Sequence, residues 1–282
     1  MRDHRLVLSA HFDGISVEDQ IRLFAGVGFE GFFTGWRRGA PVAQWRKTAD
    51  ECGMLYQSIH GPIHGCAEMW KEDSESAEDF IRELTECLRD CAANGVGLMI
   101  SHAFIGFDTG MRPTETGLER FGRVIREAER CGVKIAFENT EGEEFLAMLL
   151  KTFGDSPNVG FCWDTGHEMC YNGGRDMTAL YGGRLLGTHL NDNLGVRSFQ
   201  GKITWHDDLH LLPFDGIGDW ADIAARLKKW RFTDPLTFEL KRDAKPNRHE
   251  NDAYARMSME EYVTNAYMRA CRVAALVDKA EW

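Results

Sequence analysis

Short apolar runs alternate with longer amphipathic stretches from one end of the chain to the other. Eight of the runs predict strands, over residues 5–11, 31–35, 54–60, 97–102, 133–138, 159–164, 185–191 and 236–240. Each is brief, apolar and often bounded by glycine, the pattern of a strand buried on both faces of a parallel sheet. Between them the apolar positions fall at helical spacing. SVEDQIRLFAGVGF opens on Ser16, carries acids in its first turn and closes near Gly26 and Gly28. SAEDFIRELTECLRDCAANGVG ends at Asn94-Gly95, GLERFGRVIREAERCGVK follows the same period, and residues 258–279 read as a last long helix. Strand and helix alternating in this way predict parallel pairing through crossover helices.

An open doubly wound sheet uses the same alternation. The count of eight strands, and polar residues at the ends of many strands rather than at one switch point, favour closure into a (β/α)8 TIM barrel. No GxGxxG turn follows the first strand, which weakens a dinucleotide-binding reading. The length of 282 residues is near the ~250 typical of one such barrel, so a single α/β domain over 1–282 is expected. The longest irregular stretch, 192–218, follows the seventh strand, and loops of that length in compact domains are often functional.

The strand ends carry the chemistry. In order they read His60, His102, Glu138, Asp164 (with His167 just beyond), His189 and Glu239. In a barrel these ends open onto one face. Several carboxylates packed together raise one another's pKa values unless something cationic sits among them. A divalent metal meets that need, and mixed Glu, Asp and His donors suit manganese, magnesium, cobalt or zinc better than a soft thiolate metal. Taken singly the signals are weak: His60 or His102 could be a hydrogen-bonded core histidine, and Asp164 before Thr165-Gly166 a turn or cap acid. Glu138 and Glu239 each follow an apolar strand, where an unpaired carboxylate is costly. Cys162 and Cys170 read as small buried side chains. Trp36, Trp70 and Trp205 fall in predicted mouth loops, as pocket walls or as packing.

Charge and composition narrow the partners. The net charge of −11, from 33 basic and 44 acidic residues, argues against nucleic acid, whose phosphates normally demand a basic face. No apolar run approaches the ~18 residues of a membrane span, and the first residues lack the apolar core of a secretory signal. None of the eight cysteines forms a CxxC pair, so reduced thiols and a cytoplasmic location are expected.

These motifs resemble the xylose isomerase-like barrel superfamily, which includes ketose 3-epimerases, inosose dehydratases, hydroxypyruvate isomerases and endonuclease IV. The resemblance implies one metal held by Glu138, Asp164, His189 and Glu239, manganese first and magnesium, cobalt or zinc as alternatives. It implies that Glu138 and Glu239 are also catalytic, and that His167 contacts substrate. HLNDN followed by HDDLHLLPFDGIGDW resembles the loop these enzymes carry before the last barrel helix, bringing Asp208 and His210 over the substrate. His60, His102 and Trp70 complete the expected substrate-binding set. Endonuclease IV places further zinc ligands where this chain has His60, His102 and Asp208-Leu209-His210. Two epimerase features are unmatched: the second strand ends GFFTGW without a glutamate, and Gly195 stands where an arginine is usual, with Arg197 nearest. The implied reaction is proton abstraction next to a carbonyl through a metal-stabilised enediolate, on a small carbohydrate or polyol. The alternatives are a metal-dependent phosphodiesterase, a sugar lyase or dehydratase, and a non-catalytic sugar-binding subunit; a homo-oligomer is left open.

Overall fold

The computed structural model describes residues 3–107, 109–196 and 202–280. Eight parallel strands form one sheet: β1 (Leu6–Ser9), β2 (Gly31–Gly35), β3 (Leu55–His60), β4 (Leu98–His102), β5 (Lys134–Glu138), β6 (Val159–Asp164), β7 (Leu185–His189) and β8 (Leu236–Phe238). Each of β1 to β6 pairs with the next in sequence, and β8 pairs with β1. The seam between β7 and β8 is closed by one bridge, Leu190 to Phe238, with the Leu190 amide donating to Thr237 at 2.8 Å. The sheet is therefore a nearly closed barrel, the predicted TIM barrel.

The helices that cover it are α1 (Val17–Val27), α2 (Val42–Cys52), α3 (Glu75–Ala93), α4 (Glu115–Cys131), α5 (Glu143–Phe153), α6 (Thr165–Cys170), α7 (Met177–Tyr181), α8 (Trp220–Lys229), α9 (Asp252–Ala255) and α10 (Met259–Lys279). Their starts follow the capping rules read from the sequence. The Ser16 hydroxyl accepts the Asp19 amide, and Ser258 with Glu261 forms a capping box. Apolar side chains on the strands' outer faces and the helices' inner faces merge into one core. A second, small cluster of Leu98, Ile100, Ala136 and Cys162 lies apart from it.

Those four residues explain the site. Side chains alternate along a strand, so Leu98, Ile100 and His102 share one face, as do Ala136 with Glu138 and Cys162 with Asp164. Apolar residues fill the barrel and the last residue of each series becomes its polar lid. The register holds the lid level: Gly35 lies beside His60, His102 beside Glu138, and Asp164 beside His189. The strands are shorter than predicted at β1, β7 and β8, because pairing stops where the chain turns out of the sheet. Among the described residues no helix is long and apolar enough to cross a membrane. None of the eight cysteines forms a disulfide, and burial raises the Cys162 and Cys170 thiols well above the ordinary range, keeping them protonated.

Candidate metal centre

Glu138, Asp164, His189 and Glu239 meet. One ligand atom from each lies within 4.8 Å of the others. Glu138 is fully buried and ringed by imidazoles: His102 Nε2 lies 2.8 Å and His60 Nε2 3.4 Å from its Oε2, and His189 Nδ1 2.8 Å from its Oε1. Burial alone would raise this carboxyl, but the His189 charge and the imidazole hydrogen bonds outweigh it and hold the group well below the glutamate range. The same His189 nitrogen is 3.0 Å from Glu239 Oε2. One N–H can donate well to only one of two carboxylates, so this arrangement suits a cation better than a proton. Phe33 stacks on the His189 ring at 4.8 Å and fixes its plane.

Asp164 is held differently. Its Oδ1 caps α6 by accepting the His167 amide at 2.6 Å, and its Oδ2 accepts Asn191 Nδ2 at 2.9 Å. Its own amide and carbonyl are both bonded to the Asn139 side chain, at 2.8 and 2.9 Å. Burial pushes this carboxyl up to about 7 against the pull of His167. Gly166 is required here, since a Cβ would come within 1.9 Å of Asn191 Oδ1. Asn139 and Asn191 were not singled out from the sequence. Their positions, directly after Glu138 and two residues after His189, were the available signal, because a polar residue just past a buried strand end must find a partner.

His167, Asp208 and His210 form a neighbouring cluster. His210 Nε2 is 2.9 Å from Asp208 Oδ2, and His167 Nε2 is 3.5 Å from Asp208 Oδ1. His210 adopts a positive φ of 47°, a conformation uncommon outside glycine, and this turns it back toward Glu239, whose carbonyl accepts its Nδ1 at 3.1 Å. The sequence reading has the loop of Asp208 and His210 close over the substrate. In the structure it is already pinned to the segment after β8. The Lys241 amide donates to His210, Asn251 Nδ2 to the Leu209 carbonyl, and Lys245 Nζ lies 3.0 Å from Asp208 Oδ2. Lys245 has no counterpart in the sequence-derived site, since nothing in its local pattern marks it.

Two cavities meet at this cluster. One, of about 530 Å3, is lined by His60, His102, Glu138, Glu239 and His11 with Arg37 at its rim. The other, of about 520 Å3, extends over Phe107, Tyr171, Trp205, Glu141 and Lys245. Both touch His102, His167, Asp208 and Lys241. His11, past the end of β1, is a further missed residue: its Nε2 is buried without a hydrogen-bond partner.

Trp36 and Trp205 line these cavities, but the expectation for Trp70 is corrected. Trp70 is 1% exposed, donates Nε1 to the Ala103 carbonyl at 2.8 Å, and packs between Phe121 and Phe145. It lines neither cavity, because its turn at Cys66–Trp70 drops the indole beneath α4, against Gly117. Arg197 lies outside the described residues.

Comparison with known proteins agrees with this architecture. Residues 19–262 match the family described as xylose isomerase-like TIM barrel. An uncharacterized protein of Sinorhizobium fredii, y4fM, is 31% identical over 267 residues, covering 82% of each chain. Among solved structures, an IOLI protein with a bound zinc atom superposes with a TM-score of 0.76 at 15% identity, over 96% of this chain and 98% of that one. A xylose isomerase domain protein of Planctomyces limnophilus gives 0.74 at 14%, over 99% of both. A D-psicose 3-epimerase determined with D-fructose gives 0.70 at 15%, over 96% and 99%. At these identities the structural likeness shows the fold.

Proposed function

The chain belongs to the xylose isomerase-like TIM barrel family, and we propose that it is a divalent-metal-dependent isomerase or epimerase of a small carbohydrate or polyol. The observation that carries this reading is the convergence of Glu138, Asp164, His189 and Glu239 within 4.8 Å. The donors fit a divalent ion: three buried or nearly buried carboxylates share one imidazole, and two of them compete for its single Nδ1. Neighbours of the same fold include a zinc-bound protein and two ketose epimerases, a D-psicose 3-epimerase and an L-ribulose 3-epimerase.

These four residues would hold the ion, with manganese the first candidate. Bound there, it supplies a Lewis acid for a substrate carbonyl and the neighbouring hydroxyl oxygen. The protein's own part is to bind, orient and move a proton. Glu239 reaches the reacting carbon more readily, since its side chain is 15% exposed whereas that of Glu138 is fully buried. If one glutamate removes the proton next to the carbonyl and the other returns it to the opposite face, the product is an epimer. If the proton returns to the neighbouring carbon on the same face, the product is an isomer; if a β-hydroxyl leaves with a proton, it is a dehydration product. His60, His102, His167, Asp208 and His210 line the larger cavity and would orient hydroxyls there.

The test is a screen of keto sugars and inososes in deuterated water with manganese present, read by NMR. Exchange at the carbon next to the carbonyl is expected, falling about 10²–10⁴-fold in Glu239→Gln and Glu138→Gln, the range for loss of a general acid or base. Near wild-type exchange in both variants would remove their role. A second reading, a phosphodiesterase similar to endonuclease IV, is favoured by one observation. His60–Glu138–His189 and His167–Asp208–His210 also offer ligand atoms within 4.8 Å of one another. Cleavage of an abasic-site duplex and about three metals per chain would select it over the sugar reading.

A further inference from the structure

Two clusters of comparable geometry sit side by side, and their charge differs. Glu138, Asp164 and Glu239 bring three carboxylates to a single histidine, His189, in the first. The second brings one carboxylate, Asp208, to two histidines, His167 and His210. The ion partners of the first cluster's carboxylates are histidine rings. The second already contains a stronger cation. Lys245 Nζ lies 3.0 Å from Asp208 Oδ2 and 2.5 Å from the Trp205 carbonyl, 5.3 Å above the Trp205 ring, with its side chain only 9% exposed. Lys241 adds a second ammonium 4.0 Å from the same oxygen.

A lysine so placed is not a surface ion pair. Its ammonium is fixed by a carboxylate, a carbonyl and an aromatic face, and it matches the one negative charge that a metal would have to use. A divalent ion bound to Asp208 would sit within a few ångströms of that ammonium, with no second carboxylate in the cluster to offset the repulsion. His210 Nε2 lies 2.9 Å from both oxygens and is hydrogen-bonded to Oδ2, while Oδ1 is buried without a hydrogen bond, 3.5 Å from His167 Nε2, so the lysine and both rings surround the one carboxylate.

We propose that Lys245 is the permanent cation of the His167–Asp208–His210 cluster, so that this cluster takes no metal and the chain binds one divalent ion. The exclusion of metal from the second cluster stands on that cluster alone; the count of one rests on the function proposed above. The wall between the two cavities is then a hydrogen-bonding surface of imidazole and ammonium groups. Its ligands are the hydroxyl oxygens of a polyol, where a second metal would have called for phosphate.

The experiment is a metal count on the full chain, stripped with chelator and dialysed against manganese, then repeated with zinc. Wild type is expected to hold one equivalent. Lys245→Met keeps the length of the side chain and removes its charge, and is expected to hold one more equivalent than wild type. Lys245→Met with His210→Ala is expected to lose that extra equivalent, and Lys245→Arg to match wild type. Circular dichroism and the melting temperature establish that each variant is folded. A second equivalent in wild type that Asp208→Asn removes would overturn the proposal. So would a folded Lys245→Met that binds no more than wild type. If Lys245→Met does not fold, the wild-type count compared with Asp208→Asn decides. Wild type with no ion at all would refute the metal reading above, while the difference between variant and wild type still judges Lys245.

Discussion

Asp192 is fully buried, and its carboxylate holds the loop that carries Asp208 and His210. Oδ1 accepts the amides of Asn193 and Gly218 at 2.9 Å each. Oδ2 accepts the Phe214 amide at 2.9 Å and Trp220 Nε1 at 2.8 Å. Its backbone pairs with Leu211 in both directions at 2.9 Å. Asp192→Ala leaves these four donors without their acceptor. Hydrogen bonds to a charged group contribute ~1.5–3 kcal/mol each, and because water reaches some of the freed amides the four do not add; a loss of about 4–6 kcal/mol follows. For a chain of this size that is about 8–20 °C of melting temperature. Asp192→Asn is expected to recover less than half of it, since one oxygen is replaced by an NH2 that meets two donors. Melting followed by circular dichroism, with hydrogen exchange over residues 211–218, measures both the global and the local effect. If the loop opens locally, amide protection at Phe214 and Gly218 falls before the melting temperature does. A melting temperature within ~2 °C of wild type, with protection unchanged, would refute the claim that this carboxylate anchors the loop.

Metal binding should release protons in a pH-dependent way. In the ion-free protein burial holds Asp164 near 7, and two carboxylates keep the His189 pKa well above its usual value despite burial. An ion must displace the Asp164 proton below about pH 7 and little of it above, besides whatever proton His189 holds. Release should therefore rise by about one proton between pH 8 and pH 6, and apparent affinity should weaken as pH falls. Calorimetry in buffers of different ionisation enthalpy reads this, and a pH-independent release would contradict it. Gly166→Ala should push Asn191 off Asp164 and weaken metal affinity about 10–100-fold, as loss of an outer-shell partner does; equilibrium dialysis with manganese checks it. Trp70→Ala should cost about 3–5 kcal/mol of stability through the cavity it leaves. The KM of folded Trp70→Ala should be unchanged, and a raised KM would restore Trp70 to the substrate pocket.

The electrostatics of the centre separate its two kinds of histidine. His60 has its Nδ1 on the Gly61 carbonyl and its Nε2 toward Glu138, so both nitrogens face acceptors. Burial lowers its pKa, but the Glu138 contacts prevail and raise it. His102 meets the same carboxylate through one nitrogen while its Nδ1 is buried without a partner, and there burial prevails and lowers the pKa. Two rings beside one carboxylate are thus shifted in opposite directions, His60 up and His102 down.

The alternation of apolar and polar positions was enough to name eight strands and six of the polar residues at their ends. Strand periodicity ties a terminal residue to the face of those before it: Leu98 and Ile100 point His102 inward as surely as Ala136 does Glu138. Once the barrel was inferred, convergence of Glu138, Asp164, His189 and Glu239 followed, because parallel strands in register place their ends at one level. What only the tertiary structure decided lies in the loops. Trp70 looked like a pocket wall, yet it is packing, because the path of a turn depends on what α4 leaves open at Gly117. Asn139 and Asn191 became clamps on Asp164 only through contacts between different strand ends. Lys245 meets Asp208 across 37 residues of chain. Periodicity reports which face a residue shares with its neighbours in sequence; loop residues have no period, and their partners are set by the fold around them.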